Sequence, residues 1–189
     1  QKMIKFTTSG ESHGPCITAI IEGLPAGLQL DIEAVNAMLR RRQGGYGRGG
    51  RQRIETDHVR ILGGVVQGIT LGSPLALMVP NRDYENWQEK EVPTWRRPRP
   101  GHADLTGAHK YGIDDRRLIA ERASARETAA RVAVGAIANQ VLAAAGITVG
   151  SYVESIGSVR ACVEEMPLDE RLIVALSSDV SCPDAQAAE

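Results

Sequence analysis

The chain has 189 residues, 42% hydrophobic and only 4% aromatic, and its formal net charge is −1. That supplies an aliphatic core for one compact domain and leaves little aromatic surface on which nucleic-acid bases could stack. The near-zero charge hides an asymmetry: residues 40–60 hold seven arginines against Glu55 and Asp57, whereas residues 161–189 hold Arg171 against seven acids. A basic segment inside a near-neutral protein fits a small anionic ligand better than a broad nucleic-acid face.

Met3–Thr8 and Ile17–Leu24 read as two short strands flanking the tight polar loop Gly10-Glu11-Ser12-His13-Gly14-Pro15. Met3 runs straight into strand-like sequence, so no leader peptide is expected. Cys16, Cys162 and Cys182 have neither paired nor metal-type spacing, and they read as free thiols in a reducing cytoplasm. Gly23–Gly27 is a turn, after which Asp31 caps a helix to about Gln43 with Ile32, Val35, Met38 and Leu39 on one face. Gly44–Arg53 is a glycine-rich basic loop. Short strands are predicted at Val59–Leu62, Val65–Gln67, Ile69–Leu71 and Leu75–Val79, separated by glycine turns. Asn81–Gly101 carries Pro93, Pro98 and Pro100 and reads as irregular, with a short helix following near Ala103–Lys110. Ile147–Val163 again looks like strands and Leu168–Ser177 like a short helix.

Between these, Arg122–Gly146 reads as one long helix. Ser124 followed by Glu127 is a capping-box spacing, and Gly146 supplies a left-handed stop. From Val132 to Ala145 only Asn139 and Gln140 are polar, so the helix should be covered on both sides. The apolar run is too short and too polar at its centre to cross a membrane. Its first turns carry Arg122, Arg126 and Arg131, and arginines near free N–H groups make a place to hold an anion. Strands, then an apolar helix, then strands predict an α+β fold with a helical layer sandwiched between antiparallel β-sheets, residues 1–189 forming a single domain.

Three segments carry chemistry. Gly10–Gly14 formally fits G-x-S-x-G, which would make Ser12 the nucleophile of a serine hydrolase; that motif needs a helix after it, and Ile17–Ile21 reads as strand. His13, flanked by glycines, is expected to be exposed and able to give or take a proton near neutrality. The Gly44–Arg53 loop interleaves glycines with arginines, which suits backbone and guanidinium contacts to phosphate or carboxylate. It matches neither the phosphate loop nor the dinucleotide fingerprint, and a non-catalytic anion- or RNA-binding module is the other reading of it. Arg99-Pro100-Gly101-His102 sets a second histidine beside an arginine in a stiff loop. The four histidines lack metal-type spacing, so no metal is expected.

Four segments together, GESHG at 10–14, RRQGGYGRGGR at 41–51, RPGHAD at 99–104 and RASARETAARVAVGA at 122–136, resemble the chorismate synthase family. The resemblance implies a β-α-β sandwich and a reduced-FMN-dependent lyase of the shikimate pathway. Such an enzyme makes chorismate from 5-enolpyruvylshikimate 3-phosphate by 1,4-elimination of phosphate. It implies His13 as the proton donor to the departing phosphate and His102 as the proton donor at the flavin. Arg122, Ala123 and Ser124 would contact FMN; Arg42 and Arg48 would take the substrate phosphate or NADPH; and Arg99, Arg126 and Arg131 would complete the anion cage. Family members are about twice as long and form homotetramers, so the chain is expected to be the N-terminal half of the enzyme, inactive alone and prone to associate.

Overall fold

The computed structural model describes residues 3–47 and 56–189. In chain order the elements are β1 (Lys5–Gly10), β2 (Cys16–Glu22), β3 (Ala26–Gln29), α1 (Ile32–Gln43), β4 (Arg60–Gly63), β5 (Val65–Val66), β6 (Ile69–Leu71) and β7 (Leu75–Pro80). Then come α2 (Asp104–Tyr111), α3 (Arg116–Arg122), α4 (Glu127–Ala144), β8 (Ser155–Ile156), β9 (Val159–Arg160), α5 (Leu168–Ser177) and α6 (Ala185–Ala188). Among the described residues every pairing is antiparallel: a four-stranded sheet in the order β1-β2-β7-β4, a three-stranded sheet β3-β6-β5, and the small ladder β8-β9. The α+β class, with helices laid on antiparallel sheet, stands as read from the sequence.

Period-2 alternation sets the inner face of the main sheet. Ile17, Ala19 and Ile21 of β2 and Leu75, Leu77 and Val79 of β7 are buried, while Ile20 between them is exposed. Against that face lies α4, whose Ala129, Ala130, Ala133, Ala136 and Ile137 are buried in the same core as Val35 and Leu39 of α1. Small alanines let the helix axis come close to the sheet, and each fully buried Leu or Ile contributes roughly 1.5–3 kcal/mol. The β1–β2 hairpin depends on Gly10 (φ 122°), where an added Cβ would stand 2.4 Å from the Cys16 carbonyl oxygen. Asp31 caps α1 through its side chain, accepting from the Ala34 N–H, as the sequence predicts.

The helix expected from Arg122 starts only at Glu127, and Arg122 instead ends a separate helix, α3, that the sequence reading did not include. α3 ends at Arg122, residues 123–126 form turns, and α4 starts at Glu127 with no side-chain cap. The capping box does not form because both of its members have partners elsewhere. Ser124 Oγ donates to Ser12 Oγ at 3.0 Å, and the Glu127 carboxylate accepts from Thr8, Arg122 and Arg131. The far end is as predicted: Gly146 is left-handed (φ 73°), and the Ile147 N–H donates back to the Leu142 carbonyl. Cover on both sides is not what the described residues provide, since Arg131, Gly135 and Ala143–Gly146 are exposed.

Strand β3 falls where the sequence suggested only a turn, and Ile147–Val163 yields just the two-residue strands β8 and β9. No helix among the described residues is long and apolar enough to cross a membrane.

Candidate active-site cleft

Residues 11–15 join β1 to β2 and are clamped by Glu121 and Asn81. The Ser12 N–H donates to the Glu121 carbonyl (2.9 Å), Asn81 Nδ2 donates to the carbonyls of Ser12 and Gly14, and the Asn81 N–H donates to the Pro15 carbonyl. Ser12 is buried, and a strand follows it, so the strand–turn–helix setting of a nucleophile elbow is absent. His13 is half-buried, not exposed as the flanking glycines suggested. Its Nδ1 lies 2.7 Å from Glu121 Oε1 and its backbone N–H donates to Glu121 Oε2, while its ring sits 3.9 Å from that of Trp87. A carboxylate on Nδ1 fixes the tautomer and assigns proton exchange to Nε2.

The second histidine also meets a carboxylate at Nδ1, but an arginine lies against its ring as well. His102 Nδ1 lies 2.8 Å from Asp104 Oδ1, and Arg99 Nη2 lies 3.0 Å from the same nitrogen. Asp104 is fully buried and accepts from Arg99 through the backbone N–H, Nε and Nη2. The hydrogen bonds from Arg99 hold its carboxyl well below the usual carboxylate range, against the opposing pull of burial.

Two further ionic knots fix the helix break. Asp57, 2% exposed, takes Arg126 Nη1 at 2.6 Å on one oxygen and Arg42 Nη1 at 3.2 Å on the other. Arg126 is buried and also donates to the Pro80 carbonyl; Arg42 also donates to Thr128 Oγ1 and to the Ala125 carbonyl. Glu127 gathers Arg122 and Arg131, and Arg122 reaches on to the Thr8 carbonyl and hydroxyl. Arg48 and most of the glycine-arginine loop lie outside the described residues.

A cleft of about 360 Å³ is lined by Ser12 and His13, by Trp87, Val92, Pro93, Thr94 and Trp95, by Arg99 and Arg117, and by Ala120, Glu121 and Ser124. It brings together His13, Arg99 and Ser124 from three of the sequence motifs, and His102 contacts its Arg99. Arg122 and Ala123 open instead onto a neighbouring cleft of about 400 Å³ beside α2, and Arg42 onto one of about 650 Å³ beside the end of α5. Arg131 is 57% exposed along its side chain, with its guanidinium over Phe6. Sequence reasoning passed over Glu121, Asp57, Trp87, Trp95 and Arg117. The first two are acids that act through distant partners, the tryptophans sit in segments with no periodic pattern, and Arg117 lies in the short helix α3, which the sequence reading did not include.

The cleft sets the side chains of Trp87, Trp95, Arg99 and Arg117 beside His13. The family model for chorismate synthase matches residues 4–189. The chorismate synthase of Geobacter sulfurreducens is 51% identical over 196 residues, an alignment covering 99% of this chain and 50% of the relative. That of Chlorobium chlorochromatii is 52% identical over 177 residues, covering 89% of this chain and 44% of the relative. A crystal structure of chorismate synthase matches with a TM-score of 0.78 at 41% identity, covering 98% of this chain and 50% of that one. The chain thus spans about half the length of the relatives it matches. Family match, relatives and fold agree: this chain belongs to the chorismate synthase family.

Proposed function

We propose that the chain forms one domain, the N-terminal half of a cytoplasmic, homotetrameric chorismate synthase. The enzyme removes phosphate and a proton from 5-enolpyruvylshikimate 3-phosphate by 1,4-elimination, with reduced FMN bound and NADPH as its source of reducing equivalents. The observation that carries this reading is the meeting of His13, Arg99 and Ser124, distant in sequence, on one cleft. The flat apolar walls from Trp87, Trp95, Val92 and Pro93, with Arg99 and Arg117 beside them, fit a flavin's planar ring and phosphate.

In this reading His13 gives its Nε2 proton to the departing phosphate while Glu121 on Nδ1 stabilises the imidazolium in the half-buried loop. His102, held by Asp104 and Arg99, is the second proton carrier, on the cofactor's side. The chemistry that reduced FMN supplies when bound is electron density at the scissile carbon–oxygen bond, with no net redox change. Arg99 and Arg131, with Arg48 from the glycine loop, draw the phosphate and carboxylates. Arg42 and Arg126, both engaged with Asp57, hold the 123–126 turns, and with them Ser124, in place for the ligands.

The test is His13→Ala and His102→Ala in the complete enzyme, assayed anaerobically with reduced FMN. Turnover should fall by about 10²–10⁴ with substrate affinity little changed. Weakened binding with turnover per bound substrate intact would assign the histidines to positioning. The 189-residue chain alone should make no chorismate, because catalytic groups act as a unit and half the relatives' length is not represented in it. Turnover by the chain alone would show that the other half is dispensable.

A further inference from the structure

The turn after β7 meets the His13 loop at both of its ends. At its start, buried Asn81 donates from Nδ2 to the carbonyls of Ser12 (3.2 Å) and Gly14 (2.8 Å), and from its N–H to that of Pro15. At its far end the Trp87 ring lies against the His13 imidazole, the centroids 3.9 Å apart and the planes tilted by 42°. Hydrogen bonds within the turn connect these contacts. Asn81 Oδ1 accepts from the Asp83 N–H (3.2 Å), and the Tyr84 carbonyl accepts from the Trp87 N–H (2.8 Å). Asp83 in turn accepts from Asn86 Nδ2 on one oxygen (2.9 Å) and from Trp87 Nε1 on the other (2.8 Å). An indole has one polar atom and two side-chain rotations, so a bond at Nε1 and a packed ring leave it little freedom.

Glu121 Oε1, 2.7 Å from His13 Nδ1, settles which nitrogen meets the carboxylate. One hydrogen bond does not settle the plane of the ring. A proton donor has to be held within about 0.5 Å of its working geometry, by packing as well as by hydrogen bonds. We propose that Trp87 is a positioning residue for His13: braced by Asp83, its ring sets the plane of the imidazole and keeps Nε2 at one place relative to the ligand. The inference rests on the reading of His13 as the proton donor in this cleft. It adds a residue that acts through His13 and not on the reacting atoms.

Trp87 also lines the cleft, so the test has to separate a wall from a brace. In the complete enzyme, assayed anaerobically with reduced FMN and 5-enolpyruvylshikimate 3-phosphate, Trp87→Ala should lower kcat by about tenfold and change KM much less. Trp87→Phe keeps a ring against His13 and should recover part of that loss. Asp83→Ala should lower kcat in the parent enzyme and add nothing in Trp87→Phe, which has no Nε1–H for the carboxylate to hold. In His13→Ala, neither Trp87→Ala nor Asp83→Ala should lower turnover further, because both act through the imidazole. Thermal melts check that each variant folds. Should Trp87→Ala fail to fold, Asp83→Ala and Trp87→Phe decide, in the parent and in His13→Ala. A Trp87→Ala loss that falls on KM, or that is as large in His13→Ala as in the parent, makes Trp87 a wall of the ligand site and overturns the positioning role. An Asp83→Ala loss equal in the parent and in Trp87→Phe overturns the brace on which the proposal rests. Turnover lost in His13→Ala but kept in Trp87→Ala sinks the positioning role and leaves the reading of His13 standing. Unchanged turnover in His13→Ala sinks both.

Discussion

Asp104 is a carboxylate with no solvent exposure, and it keeps its charge through three hydrogen bonds from Arg99 and a contact with His102. Its folded-state pKa is depressed, first by the Arg99 side chain and against desolvation. The unfolded carboxyl therefore takes up its proton first as the pH drops. The stability this group contributes is complete above its ordinary value of 3.8 and is lost as the pH falls below that toward the folded pKa. Arg99 is itself 42% exposed along its side chain, so solvent screens the pair and the loss in Asp104→Asn is set at about 1–2 kcal/mol at neutral pH. Denaturant melts of parent and variant should show a constant gap from pH 7 to about pH 5 and a closing gap below 3.8. A gap that widens in acid would mean that the carboxylate is not the stabilising form. His13, His102 and Arg99 stood out as candidates in the sequence because glycine, proline and arginine cluster around them, whereas Arg117 did not. Glu121 was not, because it meets His13 across 108 residues of chain and only the fold shows that the two are neighbours.

At the scale of elements, strands with strict alternation and the Asp31-capped α1 could be read from the sequence because local pattern and tertiary burial agree there. The helix break could not. Ser124 and Glu127 have the spacing of a local cap, yet Ser12, Thr8 and Arg122 supply partners from other elements and prevail. Strand β3 was missed for a related reason, since Ala26–Gln29 has no alternation of its own and is a strand only through its pairing with β6. The break is braced by Asp57, which ties Arg42 at the end of α1 to Arg126 at the start of α4, with Arg126 also on the last carbonyl of β7. Asp57→Ala leaves Arg126 buried without its carboxylate and should cost about 3–5 kcal/mol. Arg42→Ala should cost clearly less, because Arg126 still pairs with Asp57. Denaturant unfolding of the two variants checks the order, and equal losses would mean that the buried Arg126–Asp57 pair does not brace the break.

Across the whole molecule, apolar burial is uneven. The main core joins β2, β7, α1 and α4, whereas residues beyond 150 gather only Ala161, Val163 and Cys182 as buried members of a second, small cluster. Helix α5 buries Ala175 alone and leaves Leu168, Ile173 and Leu176 exposed, and it shares no substantial packing with the main sheet or α4. Its end is tied back by the Tyr46 N–H donating to the Asp179 carbonyl, beside the cleft of about 650 Å³ that Leu176–Ser178 line with Met38 and Val132. Among the described residues, a backbone hydrogen bond and an open cleft hold much less firmly than an apolar core, so this part should open without the rest. β2 is the opposite case, hydrogen-bonded to β1 on one side and β7 on the other with its inner side chains buried. Native-state hydrogen exchange should find amides of α5 from Leu172 to Ser177 exchanging at least about a hundredfold faster than those of Ile17, Ala19 and Ile21. Opening of α5 would then be a local event, with little dependence on mutations such as Asp57→Ala that weaken the main core. If α5 and β2 exchange at one common rate that shifts together in that variant, the chain unfolds as a single cooperative unit, and the small second cluster is coupled to the core more tightly than its buried side chains account for.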